Sequence, residues 1–370
     1  MSTISSEERS EMRESFLRLL RDKGSEQDVR ATMATPSGFD PELWKQLADL
    51  GVLGLIVDPE FGGVGGGPEE VEALMEVAGA CLLCGPFLIS SILAAAIVSS
   101  SSDQMLKQEI LPGLCSGDLI LSVAAANGDG AWSLDDLAVT ASFSAGDWQL
   151  SGVSSYVVHA QSADLILVLA NTPDGAAAFA VAPGTDGLVL SGLRTNDPTL
   201  RIARLVLDGA RGRRLEGIGT RELLDAMRLA QVGLAGEQAG GARCIFEKTI
   251  EYLKTRHQFG RPIGSFQAVK HMAADMLVDV ESAISAARQA GRSLAKREAE
   301  APQFIALASF ACADAFRDVS AQAIQLHGGI AYTNEHPAHL YWRRARTGLW
   351  LFGGSDQHRE TYLSLLEAAA

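Results

Sequence analysis

Two long runs of helical periodicity, separated by a short break, constrain the fold of this chain more than any other feature. Apolar residues recur at helical spacing over residues 222–254, and a second series steps by three or four residues over 266–287. Between them, Gly260, Pro262 and Gly264 interrupt the period. We therefore predict two antiparallel helices that meet at a corner.

The composition is typical of a globular protein with two or three domains. Of 370 residues, 47% are hydrophobic and 21% are charged. The longest apolar runs, such as Ile92–Val98 and Leu165–Ala170, are much shorter than the ~20 residues that cross a membrane. Residues 1–13 are polar and acidic, unlike a signal peptide. We expect a cytoplasmic protein without a membrane span.

Charge and cysteine usage argue against two kinds of site. The net charge is −14 and no basic run interrupts it, so we expect no nucleic-acid partner. Cys81 and Cys84 have the spacing of a metal or redox pair. They lie in an apolar helical run without a second pair, which favours buried thiols. We expect no metal site.

The pattern predicts helices over residues 1–117. They are Glu8–Arg21, Pro41–Leu50, Glu69–Ala80, Leu82–Ser100 and Gln104–Leu111, with Pro112 and Gly113 closing the region. The glycine-rich segment 61–68 lacks the lysine and hydroxyl residue of a phosphate-binding loop and has no βαβ context. We interpret it as a flexible loop.

Over residues 118–212 the sequence pattern changes to short runs in which apolar residues alternate with a period of two. These runs predict an antiparallel β domain: Leu119–Ala125, Ala138–Phe143, Trp148–Ser151, Ala163–Ala170, Ala176–Val181, Leu188–Leu193 and Ala203–Leu207. Residues 213–370 return to helical periodicity, with helices predicted over Glu222–Lys254, Phe266–Arg297, Pro302–Gly328 and Ser355–Ala368. Their lengths suit an antiparallel four-helix bundle.

Two motifs carry a resemblance to a known family. Residues 256–271 contain Arg-x-x-Phe-Gly-x-Pro-Ile and then Phe-Gln-x-x-x-His, which resembles the segment of acyl-CoA dehydrogenases that meets a neighbouring subunit's flavin adenine dinucleotide (FAD). Residues 325–332 resemble the family's Gln-x-x-Gly-Gly-x-Gly-Tyr motif. The resemblance implies an α+β, mostly α, fold: an N-terminal helical domain over 1–117, a middle antiparallel β-barrel over 118–212 and a C-terminal four-helix bundle over 213–370.

The resemblance implies FAD as cofactor and acyl-CoA as substrate. In that family a carboxylate removes the α-proton of the thioester while the β-hydrogen leaves as hydride to the flavin. The two positions that carry this glutamate in the family match Gly353 and His257, so neither holds a carboxylate. Asp356 is a weak substitute, and an N-terminal cap of the last helix is the better interpretation of Ser355 and Asp356. We assign no catalytic residue.

The positions that would face the flavin ring also depart from the family. Ala125–Gly130 and Tyr156–Val158 match stretches that offer hydroxyl groups and a tryptophan to the ring, and here they supply alanine and valine instead. Polyanionic coenzyme A would need local positive groups, which two arginine clusters could supply: Arg211, Arg213 and Arg214, and Arg343, Arg344 and Arg346.

The positions that bind the other half of the cofactor are present. By resemblance, the residues that reach a neighbour's flavin pyrophosphate and adenosine are Arg256, Phe259, Gln267, Gln325, Gly328 and Gly329. Ser355 and Gln357 belong to the turn that contacts the flavin and are added to the predicted cofactor site. These residues also have purely structural explanations. The segment at Arg256 could be a plain helix corner, Gly328 and Gly329 could mark a helix C-terminus, and Gln267 and Gln325 could be ordinary exposed helix residues.

The chain therefore resembles the subunit without the glutamate in heteromeric α2β2 steroid acyl-CoA dehydrogenases. That resemblance implies a related catalytic chain as partner, a bulky steroid acyl-CoA as substrate and an external electron acceptor. Two alternatives stay open. The chain could be a self-sufficient homo-oligomeric dehydrogenase with a displaced base, or a non-enzymatic relative that binds acyl-CoA or a partner.

Overall fold

The computed structural model describes residues 4–144 and 146–369, and its elements follow the predicted order of helices, strands and helices. The N-terminal helices are α1 (Ser6–Lys23), α2 (Glu26–Met33), α3 (Pro41–Asp49), α4 (Pro68–Ala80), α5 (Ala95–Ser99) and α6 (Gln104–Ser116). A π-helical segment, Phe87–Ala94, leads directly into α5. None of the helices described is long and apolar enough to cross a membrane.

Two predictions in this region are wrong in detail. The helix predicted over Leu82–Ser100 is broken at its start, because Leu82 and Gly85 adopt positive φ angles of 50° and 144°. The helix predicted to end at Leu111, before Pro112 and Gly113, instead continues through Pro112 to Ser116. Leu111 and Leu114 are buried on either side of it, and their packing outweighs the lost backbone hydrogen bond.

The glycine-rich segment is a tightly bonded loop, so the prediction of flexibility is wrong. The backbone N–H groups of Gly63, Val64, Gly65 and Gly66 donate to carbonyl oxygens of residues 54–58. A Cβ at Gly66 would lie 2.8 Å from the carbonyl oxygen of Leu55, so the close approach requires glycine. Because these N–H groups are already bonded, they are not available to a phosphate.

The middle region is a five-stranded barrel with two further strands paired to its outside. Its strands are β1 (Leu121–Ala124), β2 (Val139–Ser144), β3 (Asp147–Val158), β4 (Leu165–Thr172), β5 (Gly175–Val181), β6 (Leu188–Leu193) and β7 (Ile202–Arg214). The ring β4–β2–β3–β7–β5 closes because β5 pairs with both β7 and β4, and the two strands outside it are β1 and β6. Most pairs are antiparallel, as predicted. The exceptions are β1 with β4 and a single β2–β4 bridge, which are parallel.

The C-terminal elements are α7 (Thr220–Thr255), the short strands β8 (His257–Gln258) and β9 (Arg261–Pro262), α8 (Gln267–Lys296), α9 (Ala301–His327), α10 (Ala338–Gly348) and α11 (Ser355–Ala369). α7, α8 and α9 enclose a core that includes Met276, Ile284 and Phe316. Helix α10 was not predicted. α11 packs against α9 and completes the bundle.

Helices α4 and α7 cross at backbone contact, which joins the N-terminal helices to the bundle. A Cβ at Gly79 would collide with the carbonyl oxygen of Glu237, and one at Gly240 would collide with that of Glu76. Only glycine permits this approach. The crossing also buries Glu72 and Glu76 between helices, with 6% and 4% of their surfaces exposed.

Candidate functional site

The predicted corner at Arg256 is a β-hairpin that follows α7. The helix ends at Thr255, so it does not continue to Phe259, and the expectation that the two side chains share a helical face is wrong. His257 pairs with Pro262 and Gln258 with Arg261, which leaves Phe259 and Gly260 as a two-residue turn with φ angles of 52° and 79°. Positive φ at both turn positions is typical of a type I′ hairpin.

The hairpin presents its aromatic ring and its cation to solvent. Phe259 is 91% exposed and meets Phe266 edge-on at 6.2 Å between ring centroids. The Arg261 guanidinium lies 4.1 Å from the Phe266 ring centroid. Arg256 and Gln267 are exposed, and Arg256 has no ion-pair partner within the described part of the chain. An exposed guanidinium beside an exposed ring suits a phosphate and a flat heterocycle.

The second predicted segment lies at the same end of the bundle. α9 ends at His327, and Gly328 follows with a φ angle of 66°. The His327 ring stacks on Tyr252 of α7 at 4.5 Å, and the Tyr252 hydroxyl donates to the His327 carbonyl oxygen at 3.3 Å. Arg256 follows Tyr252 by one helical turn, so the structure brings the two motifs together. The exposed Gln325 is on the last turn of α9.

The two glycines of this segment face open space. A Cβ built on Gly328 or Gly329 would meet no atom within 4 Å. Packing within this chain therefore does not require a glycine at position 329. At position 328 the positive φ angle favours glycine. Open backbone beside Arg256 and Phe259 fits the pyrophosphate and adenosine half of FAD, and we call these six residues the nucleotide half-site: Arg256, Phe259, Gln267, Gln325, Gly328 and Gly329.

Ser355 and Gln357 lie elsewhere. They line a cavity of about 420 Å³ together with Gly353 of the preceding turn and Arg317 of α9. Gln325 is eight residues farther along α9 than Arg317, which corresponds to roughly 12 Å. Ser355 is the first residue of α11, and its buried hydroxyl has no hydrogen-bond partner within residues 4–144 and 146–369. The predicted cofactor residues thus form two separate groups.

A side chain at the position matched to the catalytic glutamate would be strained and would crowd its neighbours. Gly353 is buried with a φ angle of 113°, and a Cβ there would lie 3.0 Å from Nε2 of His358 and 3.1 Å from Oε1 of Gln357. The Asp356 side chain is 100% exposed and pairs with Arg359 at 2.9 Å, and His257 is exposed in the hairpin. A base that must be shielded from water is therefore absent from each of the three positions considered.

His358 is the residue at this position that sequence reasoning missed. Its side chain is buried, and this burial lowers the pKa of the imidazole below its usual value, against the opposing effect of nearby carbonyl groups of residues 352 and 353. The ring is therefore neutral near pH 7. The sequence offered one sign of this residue: His358 is a polar residue on the inner face of α11, one helical turn after Gly354.

The region matched to the flavin-ring site borders two cavities. Trp132 packs edge-on against Phe352 at 5.0 Å, and Gln357 Nε2 donates to the Trp132 carbonyl oxygen at 3.1 Å. Trp132 and Gln357 line both the cavity of about 420 Å³ and a neighbouring one of about 380 Å³. Asn127 uses its side-chain oxygen to cap its own loop, and Val157 and Val158 are buried. None of these residues offers a hydroxyl group to a flavin ring.

Each predicted arginine cluster contains a guanidinium group that is already paired within this chain. Arg344 is 3% exposed and donates to Glu237 at 2.7 Å and Thr199 at 2.8 Å. Arg213 pairs with Glu109 at 2.7 Å and with Asp103 at 3.2 Å. Arg214 and Arg346 lie over the rings of Trp148 and Trp342, at 5.1 and 5.5 Å, and neither forms an ion pair within the described part of the chain, so these two stay predicted coenzyme A contacts. The cysteines are free, and burial raises the pKa values of Cys81 and Cys84 to about 11, as suits unreactive thiols.

Comparison with known proteins identifies the family. The models described as "Acyl-CoA dehydrogenase, N-terminal domain" and "Acyl-CoA dehydrogenase, C-terminal domain" match residues 6–118 and 217–364. The chain is 34% identical over 343 residues to "Acyl-CoA dehydrogenase FadE27" of Mycobacterium tuberculosis, covering 90% of each protein. It is 30% identical to "Acyl-CoA dehydrogenase IpdE2" of the same organism, covering 92% of this chain and 91% of that protein.

Two solved structures are similar over their whole length. The crystal structure of the ChsE4-ChsE5 complex from Mycobacterium tuberculosis matches with a TM-score of 0.90 and 29% identity, covering 99% of each chain. A variant of the Tcur3481-Tcur3483 steroid acyl-CoA dehydrogenase matches with a TM-score of 0.89 and 28% identity, covering 98% of this chain and 99% of that one. The predicted fold, family and cofactor are confirmed: the chain belongs to the acyl-CoA dehydrogenase family, whose members are FAD-dependent oxidoreductases that act on acyl-CoA.

Proposed function

We propose that this chain is the subunit of a heteromeric acyl-CoA dehydrogenase that lends the nucleotide half-site to a related catalytic chain. The observation that carries the proposal is the contrast between its two halves. Arg256, Phe259 and Gly329 are open and unoccupied by this chain's own packing. The base position, Gly353, carries no carboxylate, and a side chain there would crowd His358 and Gln357. We also propose that residues 1–117, 118–212 and 213–370 are its three domains.

The residues of the half-site would hold FAD by its nucleotide end. Arg256 would pair with pyrophosphate oxygens, because a guanidinium forms charge-assisted hydrogen bonds with phosphate. Phe259 would pack against the nucleotide, and Gly328 and Gly329 would let it approach the backbone. When bound, FAD accepts the hydride that leaves the acyl chain. The α-proton must then pass to a base on the partner chain, since this chain offers no shielded carboxylate at Gly353, His257 or Asp356.

The proposed partner and substrate rest on the similar solved structures. Two of the similar structures are described as complexes of two differently named chains, and one of them as a steroid enzyme. We infer an α2β2 assembly with a related catalytic subunit, a steroid side-chain acyl-CoA as substrate and an external electron acceptor. A cytoplasmic location remains part of this proposal. The displaced-base alternative is disfavoured because Asp356 is fully exposed and paired with Arg359.

Flavin titration of the reconstituted complex tests the proposal. Arg256→Ala should weaken flavin binding by ~10–100-fold, as expected for one or two lost charge-assisted hydrogen bonds. Lys254→Ala is the matched control, since Lys254 is exposed on the same helix end and pairs only with Glu251. Arg243 would be a poor control because it contacts the buried Glu76. Equal flavin affinity of Arg256→Ala and wild type would contradict the half-site.

Activity of the isolated chain is the second readout. Without a base, the chain alone should dehydrogenate acyl-CoA ~10²–10⁴-fold or more below the complex. Addition of the catalytic partner should restore turnover and flavin colour together. Robust turnover by the isolated chain, abolished by Asp356→Asn, would establish the self-sufficient enzyme instead. A complex that forms without flavin or turnover would establish the non-enzymatic alternative.

A further inference from the structure

A cavity of about 550 Å³ is lined by none of the residues of the nucleotide half-site. It is enclosed by α1, α2, α4, α7 and α10. None of its lining residues lines the two cavities beside Trp132 and Gln357. Its volume falls within the ~300–1,000 Å³ typical of small-molecule sites.

The inner wall of this cavity is apolar. Leu20 and Val29 from the first two helices, Val77 from α4 and Leu340 from α10 are all buried, and they face the cavity. Burial of an apolar ligand surface against such a wall contributes ~25 cal/mol per Å². The wall could therefore take an aliphatic chain or a fused-ring body.

The other side of the cavity carries guanidinium and ammonium groups. Arg13 and Arg243 both reach Oε1 of the buried Glu76, at 3.2 and 3.3 Å. A single carboxylate thus holds two guanidinium groups in place, and Arg288 contacts its other oxygen at 3.3 Å. This arrangement fixes the cations without neutralising them all. Glu281 makes a further 3.4 Å contact with Arg243 from the exposed side.

Two further cations at the rim are unpaired. Arg21 and Lys248 are exposed and form no ion pair with any residue in 4–144 or 146–369. The acidic lining residues are Glu76, Glu247 and Glu26, of which Glu26 is paired with Arg30 at 2.7 Å. Cationic side chains on the lining outnumber acidic ones by one, in a chain of net charge −14. This local balance favours a ligand with one negative charge over a polyanion.

We propose that this cavity binds an amphipathic monocarboxylate, with its apolar body against the leucine and valine wall and its carboxylate between Arg21 and Lys248. The carboxylate would accept hydrogen bonds from these two side chains at the rim, where solvent access lets a charged group enter without full desolvation. Coenzyme A, which carries several phosphate charges, does not suit the site.

Calorimetric titration of the full-length chain, assembled with its partner where the two co-purify, tests this site. Dodecanoate and cholate are the probes, because they present the same head group on a linear and a fused-ring body. Each should bind at one saturable site. Arg21→Gln and Lys248→Gln should each weaken binding by about 3–10-fold, and higher salt should weaken it further. Dodecanol and coenzyme A should show no saturable binding there.

Lys254→Gln is the matched control, since Lys254 lies on the same helix as Lys248 but does not line the cavity. The rim variants change exposed side chains, so folding should be unaffected, and circular dichroism checks this. The absence of saturable carboxylate binding, or equal binding by wild type and both rim variants, would overturn the site. Flavin content measured in the same samples should not change, so failure here is distinguishable from failure of the half-site.

Discussion

The Tyr252 hydroxyl donates a hydrogen bond to the main-chain oxygen of His327 at 3.3 Å, and the two rings stack at 4.5 Å. This contact fixes the end of α7 against the end of α9. Because Arg256 follows one residue of the pair and Gly328 follows the other, it also fixes the geometry of the nucleotide half-site. Tyr252 and His327 are thus positioning residues for the proposed flavin contact.

Tyr252→Phe should therefore weaken flavin binding in the complex while leaving the ring stack in place. A single neutral hydrogen bond contributes about 0.5–1.5 kcal/mol, which corresponds to a loss of roughly 2–12-fold in affinity. Flavin titration of the reconstituted complex measures the change. Tyr362→Phe serves as control, since Tyr362 contacts Phe310 far from the half-site. A wild-type affinity for Tyr252→Phe would mean that the stack alone positions the two ends.

Gly353→Glu should fail to create a dehydrogenase. The residue has a φ angle of 113°, and its Cβ would lie 3.0 Å from His358 Nε2, so the substitution forces both strain and a shift of neighbours. We expect a lower urea midpoint, because the backbone strain should reduce the free energy of unfolding by about 1–3 kcal/mol. The isolated variant should show no acyl-CoA turnover. Gly354→Ala, whose Cβ would meet Trp350 at 3.8 Å, should be near neutral. Turnover by the glutamate variant would show that the rest of a catalytic site is intact.

Glu72 should make stability depend on pH. Its burial, together with the neighbouring Glu76, raises the pKa of Glu72 to about 7 from an ordinary value of 4.5. The folded state then binds more protons than the unfolded state between these values, so the free energy of unfolding should fall as pH rises from about 4.5 to about 7. Urea midpoints at pH 5 and pH 8 should differ less in Glu72→Gln than in wild type. Glu60→Gln, an exposed control, should match wild type.

Glu237→Gln should destabilise the fold strongly. Arg344 is 3% exposed, its nearest charged partner is Glu237 at 2.7 Å, and the carboxylate of Asp197 lies farther away at 3.7 Å. Loss of one charge from a buried pair costs about 3–5 kcal/mol, and the remaining aspartate places the expected effect near the lower end. Urea denaturation measures it. Arg343→Gln is the control, because Arg343 is partly exposed and donates to the Asn196 carbonyl oxygen. It should change the free energy of unfolding by less than about 0.5 kcal/mol.

Sequence periodicity was sufficient for the long helices and for most strands. The helix predicted over Glu222–Lys254 is observed as Thr220–Thr255, and the one over Phe266–Arg297 as Gln267–Lys296. These segments are long, and one face of each is buried, so the apolar period reports the structure directly. Helix-breaking residues and weak apolar periods predicted the structure less well where tertiary packing overrides them. Pro112 lies within a helix, and α10 buries Leu340 and Tyr341 in a segment with a weak pattern.

The family motifs in the sequence also located the separate parts of the candidate site, including Arg256, Gln325 and Gly353. Only the tertiary structure decided how these parts relate. It showed that Tyr252 and His327 bring the first two together, that His358 lies directly beside the third, and that Arg344 is buried against Glu237. These facts depend on contacts between residues far apart in the chain. A spacing rule describes one helix or strand at a time, whereas burial and pairing arise only when separate elements pack together.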